Sequence, residues 1–387
     1  MYFVDNRVVL TLDAGGTNFV FSAIQNCKEV VEPLRLSAVT DDLDACLQTL
    51  VQGFSGIISR LQEPPVAISF AFPGPADYAN GIMGDLPNFP AFRGGVALGP
   101  YLEERFGIPV FINNDGNLFA YGEALAGTLP KLNGLLEKSG SSKRYRNLIG
   151  ITLGTGFGAG VVIDNQLLTG DNGCGGDVWI MRNRLNPDWI AEESVSIRAV
   201  RRVYAELSGE DAKALTPKEI FEIAEGIRIG NEEAARASFR ELGKLAGDSI
   251  VRALNIIDGI VVIGGGVAGA AKYILPGLME ELNSRVGTVQ GDSFHCLQME
   301  VYNLSDEKEL QQFLKDESVC VPVPGSDRMV RYQQDKKTGI AFSEMGASRA
   351  IALGAYTFAL AQLDNPLKQT INHSFQINTN TKENEVS

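Results

Sequence analysis

Val8-Val9-Leu10-Thr11-Leu12-Asp13-Ala14-Gly15-Gly16-Thr17-Asn18-Phe19-Val20-Phe21-Ser22-Ala23-Ile24 reads as an apolar, β-branched strand, a tight glycine turn and a return strand. The glycines stand where a turn needs positive φ or close backbone approach. The same grammar returns near mid-chain. Leu148-Ile149-Gly150-Ile151-Thr152-Leu153 is the strand, Gly154-Thr155-Gly156-Phe157-Gly158-Ala159-Gly160 the turn and Val161-Val162-Ile163 the return. Two such units, each opening a segment of domain size, read as an internal duplication.

Working outward, the first half alternates. Helical spacing runs from Asp41 to Leu61, and Val66–Phe72 is a buried strand ended by Pro73-Gly74-Pro75. Leu98–Phe106 is a helix, Val110–Ile112 a strand and Leu118–Leu125 a helix. In the second half, helices are expected over Glu192–Leu207, Pro217–Ala224, Glu232–Ile256 and Ala268–Asn283, with a central strand at Ile260–Ile263 followed by Gly264-Gly265-Gly266. Alternation of this kind implies α/β sheets covered by helices on both faces.

The chain has 387 residues, which favours two domains over one core. Its 44% hydrophobic and 21% charged residues suit a globular protein. No apolar run reaches the roughly 18 residues of a membrane span. The start, Met1-Tyr2-Phe3-Val4-Asp5-Asn6-Arg7, lacks the basic and apolar regions of a secretion signal, so a cytoplasmic location is expected. Five cysteines, at 27, 46, 174, 296 and 320, fit reduced thiols better than a disulfide framework. With two histidines far apart and no C-x-x-C, a structural zinc site is not expected. A net charge of −13 argues against nucleic acid as a partner, although backbone amides and a metal ion can still hold a nucleotide.

Gly154-Thr155-Gly156-Phe157-Gly158-Ala159 fits the dinucleotide pattern G-x-G-x-x-[GA], but that motif must open a helix, and Val161–Gln166 reads as strand and turn. A G-x-x-x-x-G-K-[ST] loop is absent too. Taken singly, either glycine loop reads equally well as ordinary turn chemistry. Two of them, with Gly264-Gly265-Gly266 between a strand and a helix, point to ATP phosphates and adenosine. Gly15, Gly16, Gly154, Gly156 and the Thr17 and Thr155 hydroxyls are then the phosphate contacts, and Asp13, at a strand end, is placed to order Mg²⁺ or its waters.

In order along the chain stand Asp13-Ala14-Gly15-Gly16-Thr17, Pro73-Gly74-Pro75, Leu86-Pro87-Asn88-Phe89, Asn113-Asn114-Asp115-Gly116-Asn117, Gly154-Thr155-Gly156-Phe157-Gly158 and Ile263-Gly264-Gly265-Gly266. This series resembles the ROK family of sugar kinases and repressors over roughly residues 8–270, and again over Gly346–Ala355. The resemblance implies a two-domain, actin-like (ribonuclease-H-like) ATPase fold, with ATP and sugar in an interdomain cleft. It also implies that the last helix, about 347–364, returns to the first domain. The expected division is 1–128 plus that helix, then 129–346 with an insertion at about 284–344, then a polar tail at 365–387. The polar stretch Ser139–Arg144 reads as a loop or linker between the halves.

A kinase needs a base against the accepting hydroxyl. Asp115 follows a strand and precedes a helix, where open α/β sheets place ligands. Asn114 and Asn117 beside it suit a site of hydroxyl hydrogen bonds, because a carboxamide both donates and accepts. Locally, Asn-Asp-Gly-Asn reads as well or better as a helix cap. The resemblance makes Asp115 the catalytic base and Asn88 a sugar contact; Asp77 and Asp85 read as loop surface. Where kinases of this family carry Gly-Glu-x-Gly-His, this chain has Gly176-Asp177-Val178-Trp179-Ile180. Asp177 stands in for the glutamate, whereas Ile180 cannot hydrogen-bond. The family's zinc-binding cluster is missing from Arg182–Ile190, and a further sugar-contacting glutamate matches Glu192, with Glu193 as rival.

The expected activity is therefore ATP- and Mg²⁺-dependent phosphorylation of a hexose, glucose first, at its primary hydroxyl. A weak sugar sensor, or a kinase for an N-acetylhexosamine or fructose, is the alternative. Too few residues precede Asp13 for the DNA-binding domain of a repressor, and a homodimer is left open. Lys336 and Lys337, in an expected hairpin spanning Met329–Phe342, read as a solvated pair.

Overall fold

The computed structural model describes residues 4–15, 17–86 and 89–365. The chain divides into two compact units, one running to Asn114 and resuming at Ala355, the other spanning Asp115–Gly354.

The first unit holds β1 (Val9–Ala14), β2 (Asn18–Gln25), β3 (Lys28–Glu29), β4 (Leu34–Ser37), α1 (Leu43–Ile58), β5 (Ala67–Ala71), β6 (Ala76–Asp77), β7 (Ile82–Met83), α2 (Leu98–Phe106) and β8 (Val110–Asn113). In the second unit come α3 (Asp115–Leu125), α4 (Thr128–Lys138), β9 (Leu148–Leu153), β10 (Phe157–Ile163), β11 (Gln166–Leu167), α5 (Ile197–Ser208), α6 (Pro217–Ala224), α7 (Glu232–Ile257), β12 (Ile260–Gly264) and α8 (Ala271–Leu282). It continues with β13 (Arg285–Gly287), β14 (Ser293–His295), β15 (Glu300–Asn303), α9 (Glu307–Leu314), β16 (Val319–Pro322), β17 (Met329–Tyr332) and β18 (Lys337–Phe342). Then α10 (Ala347–Asp364) runs from the second unit into the first.

The duplication read from the glycine hairpins reappears in the sheets. In the first, β2 pairs antiparallel with β1, and β5 and β8 extend it in parallel. In the second, β10 pairs antiparallel with β9, and β12, β18 and β15 extend it in parallel.

The first sheet is covered by α1, which starts at Asp42, whose carboxylate accepts the Ala45 amide at 3.0 Å. Cys46, Leu50, Phe54 and Ile57 recur on its buried face. Phe54 meets Phe21 edge-on at 5.0 Å, within a cluster that includes Phe19, Phe70, Phe72, Phe89 and Phe92. Burying each ring contributes roughly 1.5–3 kcal/mol. Burial also pushes the Cys46 thiol up to about 11, while Cys174 and Cys320 are exposed. Maleimide labelling of the native protein near neutral pH should therefore modify Cys174 and Cys320 quickly and Cys46 only on unfolding. Rapid loss of the Cys46 thiol, followed by mass spectrometry, would contradict this core.

Several expected boundaries move. The helix expected from Leu118 begins at Asp115, and the division falls beside it rather than at 128. The reason is packing: α3 lies on β9 and β10, so closely that a Cβ on Gly116 would stand 2.6 Å from the Ala159 carbonyl oxygen. Just ahead of the Ser139–Arg144 stretch lies a helix the sequence reading missed, α4, with Leu129, Leu132 and Leu136 buried. The helix expected from Glu192 starts only at Ile197, after a 3-10 turn Ala191–Glu193, and α8 follows a 3-10 turn Gly266–Ala270. The polar tail from residue 366 onward lies outside the described residues.

The expected Met329–Phe342 hairpin is not formed. β17 instead pairs with β16, and β18 lies in the main sheet between β12 and β15. The 284–344 segment thus supplies two strands of that sheet. Lys337 is only 6% exposed, correcting its reading as a solvated residue. Its ammonium donates to the Gln312 and Lys315 carbonyl oxygens at 3.0 and 3.1 Å and pairs with Glu317 at 2.8 Å. That ties the end of α9 to the sheet, because a lysine can satisfy the carbonyls a helix C-terminus leaves open.

Candidate active site

The carboxyl ends of three neighbouring parallel strands carry the first set of candidates. Asp13 on β1 stands in register with Ala71 on β5, which stands in register with Asn113 on β8. Asn114 and Asp115 follow immediately. Asp13 and Thr17 are exposed at the first glycine turn, which is closed by the Gly15 amide donating to the Asn18 carbonyl at 3.0 Å. Gly16 and Asn88 lie outside the described residues.

Asp115 is the first residue of α3, and its side chain is exposed. Its Oδ1 accepts the adjacent Gly116 amide at 2.9 Å. Because α3 begins at Asp115, the N-cap position is Asn114, and the cap reading of this stretch stands beside the reading of Asp115 as a base. The Asn114 amide donates to Asn113 Oδ1, also at 2.9 Å. Farther along α3, the buried Glu123 carboxylate accepts from the Ser343 hydroxyl at 2.5 Å and from the Thr128 amide and hydroxyl at 2.8 and 2.6 Å. This network fixes the helix that carries Asp115.

The second set lies wholly within the Asp115–Gly354 unit. The Gly154-Thr155-Gly156 turn closes through the Gly154 amide donating to the Gly156 carbonyl at 3.1 Å. Gly265, at φ +94°, abuts the Leu153 carbonyl, so this turn tolerates no Cβ and lies against the start of the 154–156 turn. Gly264 and Gly266 flank it, at the end of β12 and the start of the 3-10 turn. Glu192 is drawn into the same place: its Oε2 accepts the Phe157 amide at 3.0 Å, and its Oε1 accepts from Arg198 at 3.2 Å. A Cβ on Gly156 would stand 2.6 Å from that Oε2. Glu193 also accepts from Arg198, at 3.0 Å; of the two rivals, Glu192 is the one that accepts the Phe157 amide at the glycine turn.

Asp177 is exposed, just ahead of the 3-10 turn Val178–Ile180, and Ile180 is 58% exposed. The structure thus joins Glu192, Gly154–Gly156 and Gly265 in one group, while Asp13 stands across β5 from Asn113, which Asn114 follows; among the described residues Asp177 forms no hydrogen bond or ion pair with either. Arg198 was missed by sequence reasoning, having no signal beyond its place six and five residues past Glu192 and Glu193. Among the described residues, no cluster of three or more His, Cys, Asp or Glu could hold a metal ion. No helix among them is long and apolar enough to cross a membrane.

Residues 9–308 match the model of the ROK family. The chain belongs to the ROK family. A crystal structure of glucokinase from Parabacteroides distasonis superposes with a TM-score of 0.85 at 63% identity, covering 93% of this ROK chain and 99% of that one. Glucokinase of Thermotoga maritima is 29% identical over 304 residues, 71% of this chain and 86% of its own length. N-acetyl-D-glucosamine kinase of Photobacterium profundum is 28% identical over 322 residues, 73% of this chain and 97% of its own. This ROK protein is a glucokinase-like sugar kinase with the two-domain, actin-like ATPase fold.

Proposed function

We propose that this chain transfers the γ-phosphoryl group of ATP to the primary hydroxyl of a hexose, glucose in the first instance, with Asp115 as general base. The observation that carries the reading is the register that sets Asp13 on β1 and Asn113 on β8 at the carboxyl ends of the two parallel strands flanking β5, with Asp115 heading the next helix. The 63% identity to a glucokinase supports the choice of sugar.

In this mechanism Asp115 accepts the hydroxyl proton as the sugar oxygen attacks the γ-phosphorus in line, and ADP departs. Asn88, Asn114, Asp177 and Glu192 hold the sugar hydroxyls. Backbone amides of the two glycine turns and the Thr17 and Thr155 hydroxyls hold the phosphates. Asp13, an exposed carboxylate at a strand end, suits an oxygen-preferring cation through its waters. Mg²⁺ bound with ATP would neutralise charge spreading over the phosphate oxygens. A cytoplasmic location belongs to the same reading, and a homodimer is left open.

A second acceptor class rests on Ile180, an exposed apolar side chain beside Asp177, and on the N-acetyl-D-glucosamine kinase among the relatives. A coupled ADP-release assay with Mg-ATP and glucose, fructose, mannose, N-acetylglucosamine and N-acetylmannosamine decides. Glucose is expected to give the highest kcat/KM. A higher value for an N-acetylhexosamine moves the assignment to that class, and ATP binding without sugar-dependent ADP moves it to a sensor.

A further inference from the structure

The segment that delivers Glu192 is held by one buried carboxamide. After the 3-10 turn Val178–Ile180 the chain loops out and back, and its two limbs form a short ladder. The Ala191 amide donates to the Met181 carbonyl at 2.7 Å, Arg182 and Ile190 form an antiparallel bridge, and the Asn183 amide donates to the Trp189 carbonyl at 3.0 Å. Within this loop the Asn183 residue is 3% exposed.

Its carboxamide uses both ends. Oδ1 accepts the Leu185 and Asn186 amides at 3.0 and 3.2 Å, on the outgoing limb. Nδ2 donates to the Ser194 hydroxyl oxygen at 2.7 Å and the Ile190 carbonyl at 3.4 Å, on the limb that carries Glu192. Ser194 is itself buried, and the chain continues so that the Ile197 amide donates to the Gly154 carbonyl at 3.0 Å. A buried, satisfied amide of this kind rigidifies what it joins, whereas a buried amide left unpaired is costly.

We propose that Asn183 is a positioning residue for Glu192, fixing the loop so that the carboxylate meets both the Phe157 amide and the bound sugar. The proposal rests on the reading of Glu192 as a sugar contact. Asn183 touches neither sugar nor nucleotide; it acts only through the limb closed by Ser194.

Steady-state kinetics on the full chain with its best sugar test this. Asn183→Ala should raise the sugar KM about tenfold or more, with a smaller change in kcat and an ATP KM within about twofold of wild type. Asn183→Asp keeps the acceptors for Leu185 and Asn186 and lets the Ser194 hydroxyl turn to donate, so it should recover most of the sugar KM. Ser194→Ala, which keeps Asn183 itself, should give a smaller rise and carries the test if Asn183→Ala does not fold. Equal losses in sugar and ATP KM, or no change in sugar KM in either alanine variant, overturn the positioning role. Glu192→Ala, measured in parallel, separates the two ideas. An unchanged sugar KM there removes the sugar contact itself, while a raised one beside a wild-type-like Asn183→Ala removes only the role of Asn183.

Discussion

Replacing Asp115 with alanine or asparagine should lower kcat by at least about 10²-fold, with the ATP KM nearly unchanged. A base contributes chiefly when the proton is in flight, so its loss falls on turnover rather than on nucleotide binding. The structure sharpens this expectation. Asp115 heads α3, its Oδ1 is engaged by the neighbouring amide, and the helix behind it is held by buried Glu123 through Ser343 and Thr128. Neither variant removes a core side chain, and asparagine keeps the acceptor for the Gly116 amide. Circular dichroism and Tm should therefore stay close to wild type while sugar-dependent ADP formation collapses. Near-normal turnover in Asp115→Asn would move the base elsewhere.

Gly354→Ala is expected to destabilise the protein by about 3 kcal/mol or more, although it adds a single methyl group. The glycine sits in α10 where that helix crosses α3, and a Cβ there would fall well inside the Leu118 carbonyl oxygen. Across the same crossing, a Cβ on Gly122 would strike the Ala350 carbonyl. Backbone obstructs both, and backbone cannot swing aside as a side chain can, so the helices must separate. Gly134→Ala on α4 is the matched control: its added Cβ meets nothing within 4 Å, and helix propensity alone should make it neutral or stabilising by about 0.5–1 kcal/mol. Urea midpoints for the two variants decide. A Gly354→Ala midpoint equal to that of Gly134→Ala would mean the two helices do not approach this closely.

Much of the chain was legible because its signals are local. The two glycine hairpins pair strands adjacent in sequence, so a turn and two apolar runs suffice. The helices Leu98–Phe106 and Pro217–Ala224 carry their own punctuation: Gly107 after the first, and a Thr216–Glu219 capping box with Pro217 at the second. The order of short motifs was likewise enough to point to the ROK family, which the family match over 9–308 bears out.

What the sequence could not decide were the pairings between distant segments and the burial of polar groups. β18 joins β12 and β15 in parallel, and parallel pairing leaves no turn beside it to read. Lys337 and Asn183 belong to polar stretches that resemble surface, and both are buried because the fold brings carbonyls, amides and a carboxylate to them. The choice between Glu192 and Glu193 was open for the same reason. Composition and order specify that a carboxylate stands there; only the path of the loop determines which one reaches the Phe157 amide at 3.0 Å.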